Sequence, residues 1–196
     1  QLNEPVQSIV LGEVIESRHP GYAVGTLVNA RTAWEEMSLL DGSDLCSPLA
    51  AADDLALPEY MSTLGPTGMT AWLGLFRIGQ PKPDDVVVVS AAGGAVGTIV
   101  GQLAKSVGCR TIGLVSSAEK AQWLTEEVGY DIAISREVQP DLARALSEAA
   151  PSGVDLFFDN VGGSVLNTVM GQLQEGARLV LCGAISQYEA DVEPVT

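Results

Sequence analysis

Basic residues, histidine and cysteine are scarce in this sequence of 196 residues, and each shortage excludes a class of function. Ten lysines and arginines stand against 25 aspartates and glutamates, so the formal net charge is −15 at pH 7. Such a surface repels phosphate backbones and anionic lipids, and we predict neither a nucleic-acid partner nor a membrane partner. No apolar run approaches the roughly 18 residues of a membrane-spanning helix, and the N-terminus lacks the features of a signal peptide. We therefore expect a soluble, cytoplasmic protein.

The few cysteines and the single histidine argue against a metal site and against a disulfide framework. Cys46, Cys109 and Cys182 are odd in number, far apart and without a C-x-x-C pair, and His19 is the one histidine. A catalytic zinc ion needs three protein ligands and a structural zinc ion four, usually in tight clusters. We expect no metal ion, and we interpret the cysteines as small buried hydrophobic residues.

Hydrophobic residues make up 46% of the chain, which is enough for a sizeable core, and the pattern changes near Gly65. Before Gly65, turn residues separate short apolar runs that are typical of strands. These runs are Ser8–Leu11, Glu13–Glu16, Tyr22–Gly25, Leu27–Val28 and Trp34–Leu39. A helix interrupted at Pro58 is predicted for Ala50–Tyr60. Residues 1–64 are therefore predicted to form part of a mainly β, barrel-like domain.

Residues 65–196 alternate strands with helices, which predicts a parallel α/β sheet. Val86–Val89 is a continuous β-branched run, as expected for a strand buried on both faces. The helix after it has one apolar face, formed by Val96, Ile99, Val100, Leu103 and Val107. The further strands and helices predicted are, in order, Arg110–Val115, Ala118–Val128, Asp131–Ile134, Asp141–Ala150, Val154–Phe158, Ser164–Leu173 and Arg178–Cys182. This order predicts a doubly wound, Rossmann-like sheet with about five strands, and a sixth strand is expected after Val192.

The turn after the first of these strands has the pattern of a dinucleotide site. The segment Ala92–Gly97 follows a strand and opens a helix, with Ala92 in place of the first glycine of the usual fingerprint. Gly94 allows the backbone to approach a pyrophosphate, and Gly97 allows the helix to pack closely on the strand. The helix N-terminus supplies unpaired N–H groups and a partial positive charge. The alternative interpretation is a glycine-rich packing turn.

The end of the second strand favours NADPH over NADH. An NAD site usually places an acidic residue there to accept the ribose hydroxyls, whereas this strand ends in Val115, Ser116 and Ser117. The two serines and Lys120, one turn further on, are suited to contact a 2′-phosphate. Glu119 would repel that phosphate unless it points away. Lys120 is alternatively a solvated helix residue.

Four segments of the chain match the motifs of one known family. They are Gly68–Trp72, Ser90–Gly97, Phe158–Gly163 and Cys182–Tyr188. Together they resemble the zinc-independent medium-chain dehydrogenase/reductases and, within them, the branch of prostaglandin reductases, leukotriene dehydrogenases and alkenal double-bond reductases. The last two segments are specific to that branch. The resemblance implies that residues 1–64 are a partial, GroES-like catalytic domain and residues 65–196 an NADP-binding Rossmann-like domain, incomplete at its C-terminal end.

The resemblance implies NADPH-dependent reduction of the carbon–carbon double bond of a small α,β-unsaturated ketone or aldehyde. Hydride would pass from the nicotinamide ring to the β-carbon, and Tyr188 would donate a hydrogen bond to the enolate oxygen. Tyr188 is alternatively a partly buried residue that closes the end of the sheet. The cofactor-binding positions that the resemblance implies are Met69, Thr70, Gly94, Ala95, Val96, Gly97, Lys120, Asn160, Cys182, Gly183, Ala184, Ile185 and Ser186.

Three of these positions also have plainer interpretations, and one position departs from the family. Asn160 is alternatively a turn-capping residue, and Met69 and Thr70 are alternatively the start of a helix. Arg136 stands where the family usually has a tyrosine beside the adenosine end of the cofactor. It either binds the 2′-phosphate with two hydrogen bonds or is a surface residue.

Family members are longer than this sequence at both ends, and their final strand pairs across a dimer. We therefore expect the chain to be a fragment or shortened form with little reductase activity in isolation, and the full-length form to be a homodimer. Two alternatives stay open, namely a quinone reductase of the same superfamily and a non-catalytic dinucleotide-binding fragment.

Overall fold

The computed structural model describes residues 5–41, 46–50, 52 and 54–188. The chain divides into two compact units, Gln1–Met61 and Ser62–Thr196, and each is described by itself below. Across the described residues, none of the helices has both the length and the apolar character needed to cross a membrane.

The N-terminal unit contains an antiparallel sheet of three strands in the order β1–β2–β3. The strands are β1 (Gln7–Glu13), β2 (Leu27–Ala33) and β3 (Cys46–Pro48). The sequence predicted a break at Gly12, but β1 continues through it, because Gly12 pairs with Val28 of β2. Of the strand predicted for Glu13–Glu16 only Glu13 is in a strand, at the end of β1, and the strand predicted for Tyr22–Gly25 is wrong, since the described chain is irregular or turns there.

The strand predicted for Trp34–Leu39 is also wrong, because the apolar residues of this segment face solvent. Met37 and Leu39 are strongly exposed, and the Ser38 hydroxyl donates to the Glu35 carboxylate (2.6 Å), which closes a local turn. Of the helix predicted for Ala50–Tyr60, where residues 51 and 53 lie outside the described part, the structure has one 3₁₀ turn at Leu57–Tyr60. Pro58 is the second residue of that turn and does not interrupt a helix, since a first-turn position needs no N–H donor.

The C-terminal unit is a five-stranded parallel sheet in the order β6–β5–β4–β7–β8, which confirms the predicted Rossmann-like fold. The strands are β4 (Val86–Ser90), β5 (Arg110–Val115), β6 (Ile132–Ser135), β7 (Val154–Asp159) and β8 (Leu173–Leu181). The helices are α1 (Pro66–Trp72, continued by a π-helical segment Leu73–Gly79), α2 (Ala95–Ser106), α3 (Ala118–Trp123, continued by a π-helical segment Leu124–Val128), α4 (Leu142–Ala149) and α5 (Gly163–Met170). The sixth strand expected after Val192 lies outside the described residues.

The central strand β4 is buried on both faces, as its run of valines predicted. Val87 and Val89 pack into a core on one face of the sheet, formed with α1 and its extension, α2 and α3. Val88 packs into a second core on the other face, formed with α4 and α5. Helices therefore cover both faces, and the direction in which the chain adds strands reverses between β4 and β7.

Two elements were difficult to predict from the sequence because they contain glycines. The sequence indicated the helix at residues 66–79 only through the alternative interpretation of Met69 and Thr70 as a helix start, since glycine has low helix propensity. This helix packs so closely on the sheet that a Cβ atom at Gly74 would lie 2.6 Å from Phe158, and one at Gly79 2.8 Å from Leu156. Strand β8 begins at Leu173, five residues before the predicted start, because Gly176 continues the strand with a φ of 78° that few other residues adopt.

A carboxylate fixes the start of β6 against β5. Asp131 accepts hydrogen bonds from the N–H (2.8 Å) and the hydroxyl (2.9 Å) of Thr111, and the Lys105 ammonium group lies 2.9 Å from its other oxygen. Burial by itself would raise the pKa of Asp131, but the hydrogen bonds from Lys105 and Thr111 outweigh it, so the pKa lies below its ordinary value. The ionised form therefore stabilises the folded state.

We expect Asp131→Asn to lower the free energy of unfolding by about 1 kcal/mol at pH 7. Because the folded-state pKa is lowered, the contribution is present above about pH 4 and disappears as the pH falls through the folded-state value. Urea unfolding of both proteins between pH 3 and pH 7 measures this difference. Glu148→Gln, which removes the exposed ion pair with Arg144, is the control and should change little. A difference independent of pH would contradict the assignment.

Candidate functional site

A cleft of about 340 Å³ lies at the carboxyl ends of the central strands. In open α/β sheets this is the edge where ligands bind, at the point where the strand order reverses. The lining residues are Ser90, Ala91, Gly93, Gly94, Leu114, Val115, Ser116, Lys120, Arg136, Leu142, Val161, Val165, Ile185 and Ser186. Loops after β4, β5, β6, β7 and β8 therefore all contribute to one cavity.

The glycine turn between β4 and α2 has the close packing that the sequence predicted. A Cβ atom at Gly97 would lie 2.5 Å from the carbonyl oxygen of Ala91, so the first turn of α2 presses directly on the turn backbone. Gly94 is the N-cap of α2 and is exposed, and its N–H donates to the Ala91 carbonyl (2.9 Å). Ala92 is fully buried, and its methyl group is accommodated by Gly113 of β5, where a Cβ atom would approach it to 2.9 Å. An alanine thus replaces the first glycine because the neighbouring strand has a glycine opposite it.

Tyr130 supports the first turn of α2 from below. Its hydroxyl donates to the Gly97 carbonyl (2.6 Å), and its ring lies against Gly101, where a Cβ atom would be 2.1 Å away. Burial raises the pKa of Tyr130 well above its ordinary value, so the hydroxyl keeps its proton and remains a donor at neutral pH. The N-terminus of α2 is therefore fixed at the cleft.

The electrostatics of the cleft oppose those of the whole chain. Lys120 and Arg136 both line it, whereas none of the lining residues found in the described part of the chain is an aspartate or a glutamate. The aliphatic part of Lys120 crosses towards the glycine turn, with its Cδ atom 3.5 Å from where a Cβ of Gly93 would be. Glu119, the acidic residue next to Lys120, is outside the lining. Two cations and the α2 N-terminus make this cavity suited to an anion.

The two serines that follow β5 have different roles. Ser116 is exposed and lines the cleft, whereas the Ser117 hydroxyl accepts a hydrogen bond from the Lys120 N–H (3.3 Å) and caps α3. The backbone N–H of Arg136 donates to the Val115 carbonyl (3.1 Å), which extends the β5–β6 pairing to the cleft. Arg136 and Lys120 thus reach the same cavity from adjacent strands.

The loop after β8 folds back onto the turn after β7. The Ser186 hydroxyl (2.7 Å) and N–H (3.1 Å) both donate to the Val161 carbonyl, and the Ile185 N–H donates to the Asn160 carbonyl (3.3 Å). These bonds bring Ile185 and Ser186 to the cleft, whereas Cys182, Gly183 and Ala184 stay half-buried outside its lining. Burial, with the nearby Asp159 carboxylate, raises the pKa of the Cys182 thiol. Cys182 is therefore a neutral thiol at pH 7.

Besides Cys182, Gly183 and Ala184, the α2 residues Ala95, Val96 and Gly97 and four further residues that the resemblance singled out lie outside the cleft lining. Met69 is exposed on α1, and the Thr70 hydroxyl donates to the Pro66 carbonyl within that helix (2.8 Å). Asn160 is half-buried and bonded to Ser90. Tyr188 is 69% exposed, and its hydroxyl accepts the Ala184 N–H (3.0 Å), which leaves its own proton free to donate. The roles of these residues stay predictions.

The sequence analysis missed the apolar wall of the cleft. Leu142 and Val165 stand in the first turns of α4 and α5, and Leu114 and Val161 lie at strand ends. Their signal in the sequence is weak, because an apolar residue in a first helical turn is equally a core residue. Leu142 and Val165 do belong to the buried core as well as to the cleft.

No three histidine, cysteine, aspartate or glutamate side chains come together as a metal site in the parts of the chain that the structure describes.

The fold and the glycine turn define a class, namely a Rossmann-like domain with the glycine turn of the medium-chain dehydrogenase/reductases. Residues 95–196 match the model of a family described as zinc-binding dehydrogenase, and residues 1–47 match an N-terminal domain of oxidoreductase. The chain belongs to the zinc-binding dehydrogenase family, and the resemblance to its zinc-independent reductase branch is confirmed.

Several relatives are similar over almost the whole chain. Prostaglandin reductase 1 of Oryctolagus cuniculus is 42% identical over 181 residues, which are 92% of this chain and 52% of the relative. An NADP⁺-dependent 2-alkenal reductase of Nicotiana tabacum is 37% identical, over 95% of this chain and 54% of its own. The crystal structure of CurA in complex with NADPH from Vibrio vulnificus has a TM-score of 0.87 at 39% identity, and covers 97% of this chain and 56% of its own. This chain therefore spans about half the length of the proteins it matches.

The two glycines of the turn should respond differently to a methyl group. We expect Gly97→Ala to lower the free energy of unfolding by about 2 kcal/mol or more, because its Cβ has no space beside Ala91 and Ala92. We expect Gly94→Ala to cost less than about 1 kcal/mol, because its Cβ would meet only the Ala91 carbonyl, at 3.1 Å. Thermal and urea unfolding of the two variants measure this, and equal destabilisation would contradict the described packing.

Proposed function

We propose that this chain forms the cofactor-binding part, with an adjoining piece of the catalytic domain, of an NADPH-dependent reductase of α,β-unsaturated ketones and aldehydes. The observation that carries the proposal is the cleft at the sheet edge, which gathers Lys120, Arg136 and the N-terminus of α2 without an acidic residue in its described lining. An anionic dinucleotide with a phosphate on its adenosine ribose is the ligand that this arrangement fits.

The proposal assigns the parts of NADPH to residues of the cleft and of the first turn of α2. The exposed backbone at Gly94 and Ala95, at the start of α2, would hold the pyrophosphate, with Val96 and Gly97 setting the helix against the turn. Lys120, Arg136 and Ser116 would hold the 2′-phosphate, because all three line the cleft at the ends of β5 and β6. The names of the tobacco relative and of the Vibrio structure support the same cofactor.

The reaction proposed is transfer of a hydride to the β-carbon of the unsaturated carbonyl compound. When bound, NADPH would supply that hydride from its nicotinamide ring. The chain's own task is to position the ring and to stabilise the negative charge that develops on the carbonyl oxygen. The Tyr188 hydroxyl is the proposed donor to that oxygen, since its proton is free while its oxygen accepts the Ala184 N–H. Asn160, Met69 and Thr70 are the proposed neighbours of the nicotinamide half.

The first test concerns the 2′-phosphate. We expect Lys120→Ala and Arg136→Ala each to weaken NADPH binding about tenfold or more, since a lost charged hydrogen bond is worth about 1.5–3 kcal/mol. Affinity for NADH, which lacks that phosphate, should change less than about twofold. Calorimetric titration of each variant with both cofactors measures this.

Arg110→Ala provides the matched control for this titration. Arg110 is exposed at the opposite end of β5, so its loss removes the same charge from the chain without touching the cleft. Equal weakening by all three substitutions would indicate only a change in overall charge, and unchanged NADPH affinity in Lys120→Ala and Arg136→Ala would contradict the assigned phosphate site.

The second test concerns the substrate class, in the natural full-length protein. We expect 2-nonenal to be reduced to nonanal with NADPH that carries deuterium at C4 of the nicotinamide, and mass spectrometry to find the deuterium on the β-carbon. Hydride transfer followed by protonation of the enolate from solvent requires that position. Reduction of a quinone such as menadione without reduction of the enal would instead assign a quinone reductase. The homodimer stays a prediction from the resemblance, and the cytoplasmic location stays a prediction from the composition.

A further inference from the structure

A buried carboxylate lies directly beneath the cleft, at the end of β7. Asp159 has no exposed surface, and the structure gives its carboxylate three hydrogen bonds, all from neutral donors. They come from the Ser90 hydroxyl (2.6 Å), the Val161 N–H (3.0 Å) and the Gly162 N–H (2.9 Å). Burial of a charged group is costly unless its hydrogen bonds are made, and here they fix the turn that follows β7.

Ser90 links this turn to the end of β4. Its hydroxyl donates to Asp159 and accepts the Asn160 N–H (2.8 Å), and its carbonyl accepts the Asn160 side-chain amide (2.8 Å). Ser90 is fully buried as a residue, yet it borders the cleft just before the glycine turn. The amide nitrogen of the Asn160 side chain is thereby held, and the side-chain oxygen remains as a hydrogen-bond acceptor.

The turn after β7 is also hydrogen-bonded to the loop after β8. The Asp159 carbonyl accepts the N–H groups of Cys182 (2.8 Å) and Gly183 (3.1 Å). Gly162, with a φ of 71°, passes so close to this loop that a Cβ atom would lie 2.6 Å from Gln187 and 3.2 Å from Ala184. The position of the loop therefore depends on the shape of the β7 turn.

We propose that Ser90 and Asp159 are positioning residues that hold Asn160, and the turn after β7, for the nicotinamide half of the cofactor. The inference rests on the proposed function and deepens it. With the pyrophosphate at the start of α2 and the adenosine ribose at the end of β5, the other half of the dinucleotide extends towards β7 and β8. Neither Ser90 nor Asp159 touches the cofactor through its side chain in this assignment, and both act through Asn160.

The hydrogen-bonding chemistry of the two side chains explains why their substitution should weaken NADPH binding. An ionised aspartate only accepts hydrogen bonds, whereas the amide of an asparagine would set an N–H₂ group against one of the three donors. An alanine at residue 90 would leave the half-buried Asn160 N–H without its acceptor and Asp159 without its hydroxyl donor, although the carbonyl of residue 90 would still accept the Asn160 amide. Either change therefore loosens the turn that carries Asn160, while the β5 side of the cleft stays as it is.

The test separates the two halves of the cofactor. We expect Ser90→Ala and Asp159→Asn to bind NADPH about tenfold more weakly than the unsubstituted chain, yet to bind 2′,5′-ADP, which carries only the adenosine half, within twofold. Thr111→Val is the matched control, because it also removes a buried hydroxyl–carboxylate hydrogen bond, to Asp131 at the opposite end of the sheet. It should lower stability and leave both affinities unchanged.

A second measurement tests the route through Asn160. We expect Asn160→Ala to give the same selective loss of NADPH affinity, and the double variant with Ser90→Ala to be no more than twofold weaker than the weaker single variant, since in this proposal Ser90 acts on the cofactor only through the Asn160 side chain. The single and double variants at Ser90 and Asn160 test the positioning role even if Asp159→Asn does not fold. Additive losses, or a Ser90→Ala variant that binds both ligands like Thr111→Val, would overturn the positioning role and leave the proposed function standing. Failure of the unsubstituted chain to bind either ligand would overturn both.

Discussion

The hydrogen bond between the Ser90 hydroxyl and the Asp159 carboxylate joins the ends of β4 and β7, and the cleft depends on it. These two strands are neighbours in the sheet, but the chain leaves them in opposite directions, towards β5 and β6 on one side and towards β8 on the other. The loops therefore diverge and leave a cavity between them. A buried, fully bonded carboxylate keeps the two strand ends in register while their loops separate.

The proposed selectivity of the cleft for an anion depends on nearby charges rather than on the net charge of the chain. The chain carries a formal net charge of −15, which would repel an anionic ligand at a distance. At physiological ionic strength, however, charges on the surface are screened beyond about 8 Å. Lys120, Arg136 and the N-terminus of α2 act within that distance, at a cleft whose described lining has no acidic residue. An acidic surface is therefore compatible with the proposed anion site in the cleft.

Close backbone packing was predictable in part from single residues. The sequence identified Gly97 as the position where α2 meets the turn, because a helix can press on a strand end only where there is no Cβ. It left the alanine at position 92 unexplained, since the compensating glycine, Gly113, lies 21 residues away on β5. It indicated the helix at residues 66–79 only through the alternative interpretation of Met69 and Thr70, because the glycines of this helix are needed for contact with β7 rather than for a turn.

The sequence by itself determined the order of strands and helices, the buried central strand, the glycine turn and the family, because these depend on local spacing and on motifs. The tertiary structure decided which side chains share the cleft. It brought Lys120 and Arg136 together with the apolar Leu142 and Val165, and it placed Tyr188 outside the lining. It also turned Trp34–Leu39, strand-like in composition, into an exposed loop. Such outcomes depend on contacts between residues distant in the chain, which periodicity does not encode.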